Sequence, residues 1–249
     1  MWQIPPDKLV LAQHETYVWR ANLNLTTAEI TQLTEILAED ERIKADQFRF
    51  AQHQQRYVAA RGILRKILGC YLNLSGDAIQ FEYNSRGKPE IADSLNAINL
   101  QFNVSHSQDF ALYGITCDRR IGIDLEYLRD LDDADKIARR FFAPTESALV
   151  ASLTGDEQKR VFFQFWTAKE AYLKAIGSGL AGGLDTVEIA LKPQAIALLA
   201  VGETSENHAN WSLVPFIPQP NYIATLATET KQQPQQIKFF TWDKTTLKQ

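Results

Sequence analysis

Between Glu15 and Leu25 apolar and polar side chains alternate, with Tyr17, Trp19, Ala21 and Leu23 on one side, which predicts a strand. Thr26-Thr27-Ala28-Glu29 follows as a capping box opening a helix through Ile30, Leu33 and Leu37. Tyr57–Gly69 carries a strong helical pattern, and residues 80–91 read as a short strand running into a turn at Gly87-Lys88-Pro89. Leu100–Val104 and Phe110–Thr116 predict two paired strands flanking a polar turn, Ser105-His106-Ser107. Ile121–Tyr127 is a further strand, Ala134–Phe142 a helix, and Pro144 opens another. Residues 154–160 read as a polar link into a long helix over 160–176, which the glycines after Ile176 end. Beyond Gly183 strands return at Thr186–Leu191, Ala195–Val201, Trp211–Pro215, Tyr222–Ala227 and Ile237–Thr241.

Shifting the chain by 108 residues lays Ala60-Arg61, Lys66 and Gly69 over Ala168-Lys169, Lys174 and Gly177. Each half also runs strand, Arg-Phe, long helix. The identities are few, and chance agreement stands as the alternative. A true duplication predicts two α+β halves, residues 1–118 and 119–249, joined near Asp118–Arg120 with a ligand cleft between them.

Composition narrows the class. The 249 residues can bury a substantial core, and their charged and apolar fractions are those of a globular protein. A net charge of −4 gives no overall footprint for nucleic acid. Two cysteines make no disulfide framework, and no apolar run has membrane-spanning length, so a cytoplasmic setting without membrane attachment is expected. Against the overall sign, residues 42–66 hold seven bases (Arg42, Lys44, Arg49, Arg56, Arg61, Arg65 and Lys66) and one acid, Asp46. Such a stretch is either a solvated helix face or a patch that attracts phosphates or an acidic partner.

The chemistry concentrates in the second half. Strand alternation in Ile121-Gly122-Ile123-Asp124-Leu125-Glu126 puts the apolar residues on one face and both carboxylates on the other. Two unpaired carboxylates that close repel, so they need solvent, a cation or a raised pKa. Glu170 and Lys174, four apart, share one helix face, where the bland interpretation is a surface ion pair. Asp124, Glu126 and Glu170 together would offer three hard oxygen donors suited to Mg²⁺, with Lys174 placed to grip phosphates. His106 between two serines suits hydrogen bonding to an anion, and the absence of a G-x-S-x-G elbow disfavours a serine hydrolase.

Gly87-Lys88-Pro89, FNVSHS (102–107), GIDLE (122–126), RFF followed by Thr145-Glu146, and FWTAKEAYLKAIGSGL (165–180) together resemble the Sfp-type 4'-phosphopantetheinyl transferases in order and spacing. The resemblance spans roughly residues 10–230 and implies an α+β fold of two pseudo-symmetric halves in a monomer. It implies coenzyme A bound in the cleft, Mg²⁺ (with Mn²⁺ as an alternative) on its pyrophosphate, and apo carrier proteins, acyl or peptidyl, as partners. By the same resemblance Asp124, Glu126 and Glu170 are the metal ligands, and Glu170, Lys174 and Asp124 the catalytic set. Lys174, Lys88 with neighbouring Pro89, and His106 with Ser105 would contact coenzyme A, His106 at the nucleotide 3'-phosphate. Arg61, Arg42 and Lys44 match bases that line the nucleotide end, although Glu41 stands where some relatives carry a base. At the first-half positions corresponding to Asp124 and Glu126 stand Arg20 and Asn22, so only the second half would hold a metal.

The expected reaction is transfer of 4'-phosphopantetheine from coenzyme A to a carrier serine, releasing 3',5'-ADP. The nucleophile then belongs to the partner, and no activated Ser or Cys is required of this chain. Two alternatives use the same residues differently: a Mg²⁺-dependent phosphohydrolase of a nucleotide pyrophosphate, and a non-catalytic carrier-binding module.

Overall fold

The computed structural model describes residues 1–6, 8–12, 14–178, 183–192, 195–201, 210–230 and 236–243. Gly179 and Leu180, the end of the last sequence motif, lie outside them. The first half runs β1 (Glu15–Asn22), α1 (Thr27–Glu35), α2 (Glu39–Asp46), α3 (Ala51–Leu72), a hairpin of β2 (Phe81–Tyr83) and β3 (Pro89–Ile91), then β4 (Leu100–Ser107) and β5 (Phe110–Cys117). The second runs β6 (Ile121–Tyr127), α4 (Ala134–Phe141), α5 (Pro144–Ser152), α6 (Gly155–Ile176), then β7 (Val187–Lys192), β8 (Ala195–Val201), β9 (Trp211–Phe216), β10 (Tyr222–Glu229) and β11 (Gln236–Thr241).

Besides the two-stranded β2-β3 hairpin, the described strands form two larger sheets, ordered β11-β1-β5-β4 and β6-β10-β9-β8-β7. They share an apolar layer that includes Val18 and Leu112 from the first, and Ile121, Ile123, Leu125 and Leu226 from the second. Outside the first sheet, α3 packs Ile63, Leu64 and Ile67 against Trp19 and Tyr113. Outside the second, α6 packs Phe163, Phe165, Tyr172 and Leu173 into a core with Val187, Leu213 and Ile223. Each such buried side chain is worth about 1.5–3 kcal/mol relative to exposure. The last described strand, β11, pairs parallel with β1. Residues 236–241 therefore complete the sheet of the first half, although they fall in the sequence range of the second.

The halves repeat one framework. The long helices α3 and α6 are both 22 residues, and the second begins 104 residues after the first. Both end in left-handed backbone, at Asn73 (φ 55) and Gly177 (φ 70). The shift of 108 is thus one helical turn too long, a slip that keeps residues on the same helix face.

A buried ion pair recurs as well. Glu41 and Glu146 each cap the start of their own short helix, accepting the N–H of Ala38 and of Ala143. Glu41 Oε2 lies 2.6 Å from Arg65 Nε, and Glu146 Oε2 lies 2.7 Å from Lys169 Nζ, with all four side chains almost fully buried. Arg65 and Lys169 then donate to carbonyls of equivalent turns, Gly76 and Ile79 in one half, Leu184 and Val187 in the other. The caps and turns are what keep such pairs tolerable, because buried charges must have their hydrogen-bonding capacity filled.

Two local readings need correction. Residues 155–160 are the first turns of α6 rather than a link, with Asp156 and Glu157 favourably placed at the helix N-terminus. His106 lies on β4, whose strand continues to Ser107, and the reversal falls at Gln108 (φ 50) and Asp109. The polar residues there hide a strand because one edge of it faces polar backbone rather than apolar core.

Candidate active site

Strand β6 is an edge of its sheet, and α6 lies across it on the face opposite the shared apolar layer. The close approach requires glycine at position 122, since a Cβ there would fall 1.9 Å from the Ala171 carbonyl oxygen and 2.5 Å from the Ala175 nitrogen. The same face of β6 carries Asp124 and Glu126, and the facing side of α6 carries Glu170 and Lys174. The two motifs therefore meet.

Asp124 is 4% exposed, so its face of β6 is not solvated. Its Oδ1 accepts from Lys174 Nζ at 2.5 Å and from Ser105 Oγ at 3.0 Å. Lys174 also donates to Ser105 Oγ (3.1 Å) and to the Ile123 carbonyl (3.4 Å), which ties β4, β6 and α6 together. Asp124 Oδ2 and Glu170 Oε1 are buried without a hydrogen-bond partner. Burial raises the Glu170 pKa from 4.5 to about 7; the charges of Asp124 and Glu126 add to the rise, and Lys174 opposes it. Glu126 is raised too, by burial and by Asp124, against the pull of Arg129 and Ser107. Three carboxyl groups thus sense one another in one small space.

His106 projects on the other side of β4 from Ser105. Loss of surrounding water, and the positive charges of Lys174 and Arg56, lower its pKa. Arg56 was not singled out by sequence beyond its place in the basic stretch; it grips Asp109 Oδ1 through Nε (3.0 Å) and Nη2 (2.6 Å). Lys88 donates to the carbonyls of Ile121 and Ala175, 3.2 Å each, next to the end of α6. Burial first, then nearby Arg120, lower its pKa to about 8, with Glu90 opposing.

The first-half bases do not join this cluster. Arg61 is held by the buried Glu41 and donates to Tyr83 Oη at 2.8 Å. Arg42 donates to the carbonyls of Thr34 and Glu35 at the end of α1. Lys44 lies 5.6 Å from the centre of the Tyr57 ring. With Arg65 buried as well, the basic stretch is not one open patch: Glu41, one residue outside the counted window, absorbs two of its charges.

The sequence model described as 4'-phosphopantetheinyl transferase superfamily matches residues 120–227, and that described as 4'-phosphopantetheinyl transferase, N-terminal, matches residues 21–116. The 4'-phosphopantetheinyl transferase HetI of a Nostoc species is 42% identical over 91% of this chain and 92% of its own. The chain belongs to the 4'-phosphopantetheinyl transferase family. The transferase psf-1 of Bacillus pumilus is 32% identical over 69% of this chain and 71% of its own. Among solved structures, a holo-(acyl-carrier-protein) synthase from Bacillus anthracis in complex with CoA (3',5'-ADP) is 21% identical, with a TM-score of 0.37, over 45% of this chain and 96% of that one.

The donor set fits a hard divalent cation. Two buried, unpartnered carboxylate oxygens and three mutually repelling carboxyls are what an ion such as Mg²⁺ would satisfy. Among the described residues no three acids are already drawn together as tightly as metal ligands, and the ammonium of Lys174 holds Asp124.

Proposed function

We propose that this chain transfers the 4'-phosphopantetheine group of coenzyme A to a serine hydroxyl of an apo acyl or peptidyl carrier protein, giving the holo carrier and 3',5'-ADP. Family membership supports the activity, and the observation that carries the reading of the site is the meeting of Asp124, Glu126, Glu170 and Lys174 where β6 and α6 cross.

In this reading the carrier serine oxygen attacks the phosphorus that bears the pantetheine arm. A new P–O bond forms as the bond to the 3',5'-ADP oxygen breaks. Glu170, with a pKa near neutrality, accepts the serine proton directly or through water. Lys174 would turn from Asp124 to the pyrophosphate and offset charge gathering on the leaving oxygen. His106 and Ser105 on β4, with Lys88 and Pro89 at the β3 end, would hold the phosphates. Arg61, Arg42 and Lys44 would each have to exchange a partner within the first half to reach the nucleotide. Asp124, Glu126 and Glu170 would hold Mg²⁺, which when bound supplies Lewis-acid stabilisation of the pyrophosphate. Among the described residues no helix is long and apolar enough to cross a membrane.

Incubating the protein with coenzyme A, Mg²⁺ and a panel of apo carriers, read by mass spectrometry, tests the proposal. Carrier mass gain with release of 3',5'-ADP is expected. Release of phosphopantetheine without any carrier would instead establish a hydrolase, and neither product would leave a binding module.

A further inference from the structure

The two sheets meet along an edge where β4 offers side chains to the backbone of β6. At alternate positions Asn103 Oδ1, Ser105 Oγ and Ser107 Oγ accept the N–H groups of Ile123 (2.8 Å), Leu125 (3.2 Å) and Tyr127 (3.1 Å). The spacing follows from the period of two on both strands. An edge strand whose N–H groups would otherwise lack ladder partners is satisfied by a comb of side chains.

The two serines do more than accept. Each takes the N–H of the residue after a carboxylate and donates its own hydroxyl to that carboxylate: Ser105 to Asp124 Oδ1 (3.0 Å), Ser107 to Glu126 Oε2 (3.2 Å). Asn103, one step back, faces Gly122, which has no side chain to hold, and a residue without a hydroxyl suffices there. In both carboxylates the cationic neighbour falls on the same oxygen as the serine, Lys174 on Oδ1 of Asp124 and Arg129 on Oε2 of Glu126 (3.3 Å). Both contacts on each carboxylate thus fall on one oxygen, and Asp124 Oδ2 is left buried without a hydrogen-bond partner.

We propose that Ser107 is a positioning residue of the transferase: by fixing one oxygen of Glu126 to the β4 comb it aims the other at the cation, as Ser105 does for Asp124. The inference rests on Glu126 being a metal ligand, as given under the proposed function.

The test is metal affinity of the full-length protein without substrates, measured by Mn²⁺ electron paramagnetic resonance and Mg²⁺ calorimetry, with thermal unfolding alongside. Ser107→Ala should weaken metal binding by roughly ten- to hundred-fold, the range typical when an outer partner of a ligand is removed. Coenzyme A affinity without metal should hold, and Ser107→Thr, which returns the hydroxyl, should recover metal binding. Excess Mg²⁺ should restore kcat in Ser107→Ala. Glu126→Gln serves as control. If it weakens metal binding while Ser107→Ala does not, the positioning role is overturned and the ligand assignment stands. If Glu126→Gln binds metal as the parent does, the ligand assignment fails and the positioning role fails with it. A Ser107→Ala protein that loses coenzyme A affinity and thermal stability in step with metal, unrescued by threonine, would show a purely structural hydroxyl and also overturn the proposal.

Discussion

The ammonium of Lys174 lies 2.5 Å from Oδ1 of Asp124, so this buried carboxylate is neutralised by a cation from the protein itself. The lysine side chain is 27% exposed and that of Asp124 6%, which leaves the lysine partly open to solvent while the carboxylate is buried. Replacing it with methionine should strand a buried carboxylate at a cost on the order of 2 kcal/mol. Mg²⁺ should raise the Tm of Lys174→Met more than that of the parent, because the ion then supplies the missing charge. An equal Mg²⁺ shift in both proteins would contradict this account, as would normal turnover by the variant.

Glu170 gives a pH signature with a definite sign. Its folded pKa is about 7 against an ordinary 4.5, so between those values the native state binds the proton more tightly than the unfolded chain. Without metal, its contribution makes stability fall as pH rises through that window, by on the order of 3 kcal/mol. Glu126 is shifted the same way, whereas the lowered pKa of His106 acts in the opposite sense. Urea unfolding of the parent and of Glu170→Gln from pH 5 to 8 isolates the glutamate: the difference between them should change across this range. Turnover should fall as pH drops below about 7, and higher Mg²⁺ should move that limb to lower pH.

Gly122→Ala tests the contact that brings the motifs together. The added methyl would overlap backbone atoms of α6, at Ala171 and Ala175, rather than a flexible side chain. The helix must then shift from β6, separating Glu170 from Asp124. A folded protein by circular dichroism with turnover reduced by at least about a hundredfold is expected, since misplacement by an ångström is enough for that loss. Retained turnover would mean that the crossing does not set the chemistry.

The paired buried salt bridges should behave alike despite lying in different halves. Glu41→Ala and Glu146→Ala each leave a buried cation uncompensated and should destabilise by about 3–5 kcal/mol in urea titrations. Glu41→Ala also frees Arg61, whereas Glu146 additionally accepts the Ile189 N–H at 2.7 Å, which the variant loses. Combining Glu41→Ala with Arg65→Met should recover part of the loss.

Much of this was legible in residues close in sequence. Alternation located β1, β6 and the strands from Thr186 onward, and the Thr26–Glu29 capping box forms as expected, with Thr26 accepting from Glu29. The four charged side chains were visible as two pairs because Asp124 and Glu126 share a strand face and Glu170 and Lys174 a helix face. What sequence could not supply were partners brought from far along the chain. Glu41 and Arg65 are 24 residues apart, and nothing local reveals that the glutamate is buried beneath two arginines. The strand over Leu100–Val104 was read, but its continuation through Ser105-His106-Ser107 was hidden because Ser105 and Ser107, like Asn103, answer the polar edge of β6 rather than an apolar core. Their spacing of two was nevertheless the available signal, and it would have found Ser107.

The last described strand lies beside the first: β11 hydrogen-bonds along β1 from Glu15 to Arg20, while Arg20 Nη1 donates 2.6 Å to the Pro218 carbonyl of the opposite half. Such interleaving makes the duplicated halves a clasp rather than two beads on a string. Heating should therefore produce a single calorimetric peak, and co-expressed fragments cut between the halves should reassemble only when the partner brings back 236–241.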